Sequence, residues 1–193
     1  MKWAGEDCRM SVLLEYSVDN GIAVLVIDNP PVNALSQQVR QAIRESITAA
    51  EADDGVKAVV IACTGRTFSA GADIREFDAP VKDPSLPILN DFIESGTKPV
   101  VAALHGTTLG GGLELAMSCH YRVALTGTRV GLPEVHLGLI PGAGGTQRLP
   151  RLIGAEAAIE AITTGRHIPA DEALGMGLLD DVGDRKGLAA TRD

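Results

Sequence analysis

Three glycine-rich segments and two glutamates hold the residue types of this chain best suited to chemistry. The first segment is Phe68-Ser69-Ala70-Gly71-Ala72-Asp73, and the second is Leu109-Gly110-Gly111-Gly112-Leu113-Glu114. The third is Gly131-Leu132-Pro133-Glu134, with Pro141-Gly142-Ala143-Gly144-Gly145 close behind. A Walker loop needs G-x-x-x-x-G-K-[ST], and no Lys follows a glycine at that spacing. A dinucleotide fingerprint needs G-x-G-x-x-G between a strand and a helix, and neither Gly110–Gly112 nor Gly142–Gly145 completes it. Nucleotide hydrolysis and NAD binding are therefore disfavoured. What remains is bare backbone that an acyl group can approach. N–H groups at a helix N-terminus are unpaired and carry positive dipole, and two of them from separate loops can hold a developing oxyanion. Ala72, after Gly71, and Gly111, entering a helix, are candidates for such a pair. The same glycines would also serve tight turns and close helix packing.

Glu114 lies three residues after Gly111, in the first turn of an expected helix, where the dipole alone already favours a carboxylate. Glu134 lies in V-G-L-P-E-V-H-L-G-L-I, a Pro-bounded apolar stretch where a carboxylate is less expected. Desolvation there would raise its pKa toward working pH, as a general acid requires. A solvated turn glutamate is the other reading. Two carboxylates beside an oxyanion site would suit proton transfers flanking a thioester carbonyl.

The elements that must position these groups follow from periodicity. Residues 12–16 and 22–27 read as strands around the Asp19-Asn20-Gly21 turn. Asn29-Pro30-Pro31 breaks the chain. Val39, Ala42, Ile43, Ile47 and Ala50 recur at helical spacing over 36–51, with Ser36 available as N-cap. Further strands are expected at 59–62, 99–104 and 121–125, and helices at 86–95, 113–119, 155–163 and 170–175. Alternation from residue 22 to about 125 implies right-handed crossover units and a parallel sheet covered by helices, an α/β fold. Neither an internal repeat nor a low-complexity tract stands out.

Composition sets the bounds. The 193 residues are 45% apolar, 3% aromatic and 22% charged, with a formal net charge of −8. One domain fits, and a chain of this length can bury roughly 70% of its unfolded surface. Acidic balance and few aromatics argue against a nucleic-acid surface. Cys8, Cys63 and Cys119 are odd in number and scattered, giving neither a disulfide framework nor a zinc site. His105, His120, His136 and His167 lack H-x-x-x-H spacing, so no metal is expected. Residues 1–10 are expected to be a disordered leader, 11–183 the core and 184–193 a tail without apolar periodicity. The leader has no apolar h-region, no stretch approaches 18 apolar residues, and the chain does not end in S-K-L. A reducing, cytoplasmic location without membrane contact is the expectation.

The motifs F-S-A-G-A-D-I, L-G-G-G-L-E-L-A, G-L-P-E-V-H-L-G and I-P-G-A-G-G-T-Q-R-L-P-R resemble the enoyl-CoA hydratase/isomerase (crotonase) superfamily, in order and in spacing. The run L-E-L-A-M-S-C-H-Y-R-V-A followed by G-L-P-E is most similar to the N-terminal hydratase part of multifunctional β-oxidation enzymes. Similarity covers about residues 11 to 181. It implies a crotonase-like spiral of ββα crossover units, with acyl-CoA bent into a pocket between the loops. The family continues some dozens of residues further, into helices that close the pocket and build a homotrimer or larger assembly. The resemblance therefore carries the expectation that this C-terminal helical part is lacking.

By the same resemblance, the N–H groups of Ala72 and Gly111 would hold the thioester oxygen. Glu114 and Glu134 would hold and activate water for attack at C3 of a trans-2-enoyl-CoA while a proton reaches C2, giving 3-hydroxyacyl-CoA. Asn33, Ala34 and Leu35 match the pantetheine-contacting stretch, and the Ala70 carbonyl matches the adenine contact. Gly71, Asp73, Ile74, Gly110, Pro133 and Gly142 complete the implied acyl-CoA site. Arg66 is placed either to meet a CoA phosphate or to stay a solvated surface arginine. No separate cofactor is implied, coenzyme A being part of the substrate. Both glutamates together favour hydration in fatty-acid β-oxidation. The alternatives are a Δ3-Δ2-enoyl-CoA isomerase, which can work with one carboxylate, and an acyl-CoA-binding scaffold with little activity.

Overall fold

Asn20 and Gly21 adopt positive φ of 50° and 80°, the geometry of a two-residue hairpin turn whose twist matches its flanking strands. The turn sets the register of β2 (Leu14–Asp19) against β3 (Ile22–Ile27), from Asp19 opposite Ile22 to Leu14 opposite Ile27. The first strand therefore runs to Asp19 rather than ending at Tyr16, because a two-residue turn pairs the residues directly beside it. The computed structural model describes residues 9–11, 13–76, 80 and 82–184. β1 (Arg9–Ser11) pairs antiparallel with β2, so the expected leader boundary at residue 10 falls inside a strand. Residues 1–8 of that leader and 185–193 of the expected tail lie outside the described residues.

Four parallel strands build the rest of the large sheet. β4 (Ala58–Cys63), β5 (Val100–Leu104), β7 (Tyr121–Leu125) and β10 (Asp181–Gly183) follow β3 in parallel pairings, in the order β1-β2-β3-β4-β5-β7-β10. A second sheet joins β6 (Thr107–Leu109), β8 (Arg129–Gly131) and β9 (Ile168–Pro169), with β6 and β8 parallel. Its strands of two or three residues carry no readable period, which is why the sequence pattern leaves them as loop.

Helices cover the sheets. α1 (Gln37–Ala52) begins at Ser36, whose hydroxyl accepts from the Val39 N–H, and buries Val39, Ile43, Ile47 and Ala50 on one face. α2 (Leu86–Glu94) buries Leu86, Leu89 and Ile93. α3 (Gly111–Ser118) is buried on all sides, Glu114 and Ser118 included, and packs against α2, β6 and β7. It starts two residues before the expected Leu113, the low helix propensity of Gly111 and Gly112 having hidden its first turn. α4 (Gly145–Ile153), which packs on α3, is not predicted at all, because it opens on glycine and contains Pro150. α5 (Ala155–Thr164) and α6 (Ala170–Gly175) follow the expected ranges closely.

Asn33 ties its own loop to the 64–67 loop beside the sheet. Its Oδ1 accepts from the Asn29 N–H at 2.9 Å, and its Nδ2 donates to the carbonyls of Thr64 and Thr67, each at 2.9 Å. It is 3% exposed and adopts φ 50°, which asparagine tolerates better than most residues. Asn33→Ala removes all three bonds and strands buried partners, so it should lower unfolding stability by about 3 kcal/mol, measured by urea denaturation.

Candidate active site

β6 and β8 run parallel and side by side, so the segments leaving their C-terminal ends emerge together. β6 leads through Gly110 into α3, which carries Glu114. β8 leads through Leu132 into a single 3₁₀ turn, Pro133–Leu137, which carries Glu134. The Gly110 N–H donates to the Gly131 carbonyl at 2.9 Å and locks the two exits. Residues 20 apart in sequence thereby face one cleft of about 950 Å³.

The segment 69–72 is strapped across the start of α3. Ser69 bridges to Thr108 and Ala72 to Leu35, with the Leu35 N–H donating to the Gly71 carbonyl at 2.9 Å. The Ala70 N–H donates to the Val32 carbonyl, and Ser69 Oγ donates to the Asn33 carbonyl at 2.7 Å. The contact with α3 is so close that side chains would not fit. A Cβ on Gly111 would lie 3.1 Å from the Ala72 nitrogen and 2.7 Å from Leu86 Cδ2, and one on Gly112 would lie 2.8 Å from the Ser69 carbonyl oxygen. Ala72 and Gly111 thus bring their backbone nitrogens to the same wall of the cleft. Among the described residues neither N–H has an acceptor. Two free donors on rigid backbone can hold an oxyanion without reorganising.

The two glutamates meet opposite environments. Glu114 is 2% exposed, and its Oε1 accepts from the N–H groups of Ala143 and Gly145 at 2.7 and 2.8 Å. Gly145 opens α4, so Glu114 caps that helix and gains its dipole. Burial pushes its pKa up, while the two N–H bonds and the Arg148 charge pull it down, and burial prevails. Glu134 is half-buried, and its Oε2 is buried without a hydrogen-bond partner among the described residues. Burial, helped by the charge of Glu114, pushes its pKa up to about 7. One carboxylate is gripped by two amides of a distant loop, and the other leaves its Oε2 without a donor among the described residues. That division suits a base and an acid working on one substrate.

Ala70, Gly71, Asp73, Ile74, Gly110, Pro133 and Gly142 line this cleft together with Ala72, Gly111, Glu114 and Glu134. Asn33, Ala34, Leu35 and Arg66 are not among its lining residues. Asn33 spends its side chain on the loops described above, Leu35 is fully buried, and Arg66 is exposed outside the cleft. Leu35 and Asn33 shape the site from behind: Leu35 holds Gly71, and Asn33 holds Ser69. Sequence reasoning misses the Ala143 and Gly145 amides, whose signal was the glycine pair opening an unrecognised helix. Leu86, lining the cleft against Gly111, gave no signal beyond its place in a helix. Among the described residues no cluster of His, Cys, Asp and Glu could hold a metal, and no helix is long and apolar enough to cross a membrane.

Residues 17–191 match the family described as enoyl-CoA hydratase/isomerase. The chain belongs to that family. It is 56% identical over 165 residues to the peroxisomal bifunctional enzyme of Danio rerio, covering 86% of this chain and 23% of that protein. It is 47% identical over 173 residues to a probable enoyl-CoA hydratase of Bacillus subtilis (strain 168), covering 86% of this chain and 67% of that protein. A Brassica napus glyoxysomal fatty acid beta-oxidation multifunctional protein is 44% identical over 178 residues, covering 88% of this chain and 24% of that one. The chain thus spans about a quarter of the length of the multifunctional relatives. A solved enoyl-CoA hydratase structure from Geobacillus kaustophilus superposes with a TM-score of 0.89 at 32% identity, over 96% of this chain and 74% of that one. The α/β architecture is therefore the crotonase fold.

The raised pKa of Glu134 has a stability consequence. Between the ordinary glutamate value of 4.5 and about 7, the folded state binds more protons at this site than the unfolded state does. The stabilisation is full below pH 4.5 and is lost as pH rises through about 7. Urea midpoints across this range should therefore fall with rising pH more steeply for the native chain than for Glu134→Gln.

Proposed function

We propose that the chain is an enoyl-CoA hydratase, adding water to a trans-2-enoyl-CoA to give a 3-hydroxyacyl-CoA. The observation that carries this reading is that Glu114 and Glu134 face the same cleft as the free N–H groups of Ala72 and Gly111. The thioester oxygen would lie between those two donors. As water attacks C3, the C2–C3 π electrons move into an enolate whose charge gathers on that oxygen, where the two N–H groups stabilise it. Glu114 takes a proton from the attacking water. Glu134, about half protonated near neutrality, delivers its proton to C2. Proton exchange with solvent returns both carboxyls to their starting states.

Isomerisation of a Δ3- to a Δ2-enoyl-CoA is a compatible side reaction, because a carboxyl with a pKa near 7 can shuttle one proton between carbons by itself. A role in fatty-acid β-oxidation is supported by the similarity to the Brassica napus multifunctional protein. A homotrimeric or larger assembly is proposed for the full family fold, to which the resemblance assigns it. A reducing, cytoplasmic compartment is supported by the free thiols of Cys63 and Cys119.

Hydration is read from the loss of the conjugated-thioester absorbance of crotonyl-CoA. Glu114→Gln and Glu134→Gln should each lower kcat by about 10²- to 10⁴-fold. A native chain no faster than the double variant, yet still binding acetyl-CoA, would leave the scaffold reading in its place. In the native chain kcat/KM should decline as pH rises past about 7, where Glu134 loses the proton it must donate. Any residual activity of Glu134→Gln should lack that limb.

A further inference from the structure

The loop that grips Glu114 is itself held from the far side. The Ala143 carbonyl accepts from Asn90 Nδ2 at 3.0 Å and from Arg148 Nη1 at 3.1 Å. Asn90 comes from α2 and is fully buried, and Arg148 comes from α4 with its side chain 10% exposed. Arg148 Nη2 donates to Asp91 Oδ1 at 2.8 Å and to Glu94 Oε2 at 2.7 Å, which ties the guanidinium to α2. Ala143 is therefore pinned through its carbonyl to α2 and α4, while its N–H faces Glu114 on α3.

Two orphaned atoms show that this arrangement is not the one that stability alone favours. Asn90 Oδ1 and Arg148 Nε are both buried without a hydrogen-bond partner among the described residues. A buried unsatisfied polar atom costs stability, and an apolar side chain at position 90 would avoid that cost. Asn90 keeps its amide in a fully buried position and spends its Nδ2 on one loop carbonyl.

We propose that Asn90 and Arg148 are positioning residues for Glu114, holding Ala143 so that its N–H and that of Gly145 fix the carboxylate in the orientation that hydration requires. The proposal rests on the hydratase reading for its kinetic consequences. Neither residue needs to touch the substrate, since each acts through the loop. Small displacements of a catalytic group cost up to about 100-fold in rate, so loosening this loop should act on kcat more than on binding.

The test compares Asn90→Leu, Arg148→Met and Arg148→Lys with the native chain. Asn90→Leu keeps the volume and removes the donor, and it should lower kcat for crotonyl-CoA by about 10-fold. KM and the acetyl-CoA dissociation constant should stay within about twofold, because the Ala72 and Gly111 wall is untouched. Arg148→Met should lose about 10- to 100-fold in kcat, and Arg148→Lys, which keeps a charged donor, should recover most of it. The amide proton shifts of Ala143 and Gly145 report the grip on Glu114 directly, with or without turnover, and should move upfield in Asn90→Leu and Arg148→Met. Unchanged amide shifts in folded Asn90→Leu would overturn the proposal, as would a loss in which KM and acetyl-CoA binding worsen in step with kcat. If Arg148→Met does not fold, Asn90→Leu with Arg148→Lys decides the matter by the same readouts. A native chain that does not hydrate crotonyl-CoA would sink the hydratase reading, and the amide shifts would still decide the positioning role.

Discussion

The 69–72 strap and the first turn of α3 approach until their backbones touch, and the rest of the site depends on that approach. A Cβ at Gly111 would be forced against both the Ala72 nitrogen and Leu86, and one at Gly71 would lie 3.1 Å from the Gly111 nitrogen. Two peptide N–H groups can share one wall of a cleft only where nothing separates them, and glycine is the one residue that leaves nothing there. The strap keeps its place because each residue from Ser69 to Ala72 is tied to a neighbouring segment: to Asn33, to Val32, to Leu35 and to Thr108. These ties explain why buried Asn33 and Leu35 belong to the site although neither lines the cleft.

Electrostatics then divides two chemically identical side chains. Glu114 receives two amide donors and the start of a helix, which offset much of the penalty for burying it. Glu134 receives no such help on Oε2 and feels the charge of Glu114 besides. The outcome is one carboxylate fixed in place and one whose proton is available near neutral pH. Parallel pairing of β6 with β8 makes the division useful, because it delivers both carboxylates to the same opening. The short second sheet thus sets where both carboxylates emerge.

Much of the scaffold was legible in the residues. Asn20-Gly21 announced the hairpin, Ser36 with the spacing of Val39, Ile43 and Ile47 announced α1, and β-branched runs announced β4 and β5. Each of these signals is local, carried by neighbours within one or two turns of chain. α4 escaped because glycine and Pro150 mask a helix that tertiary contact with α3 stabilises. β6, β8 and β9 escaped because strands this short have no period.

Of the site, residue types and spacing were enough to single out Ala72, Gly111, Glu114 and Glu134, since bare backbone and lone carboxylates in apolar runs are conspicuous in one dimension. Which carboxylate would be gripped, and by what, was decided only in three dimensions. The Ala143 and Gly145 amides reach Glu114 across 29 and 31 residues, and Asn90 reaches Ala143 across 53. No periodicity spans such separations. The burial and hydrogen bonding that set each protonation state exist only after the chain has closed around them.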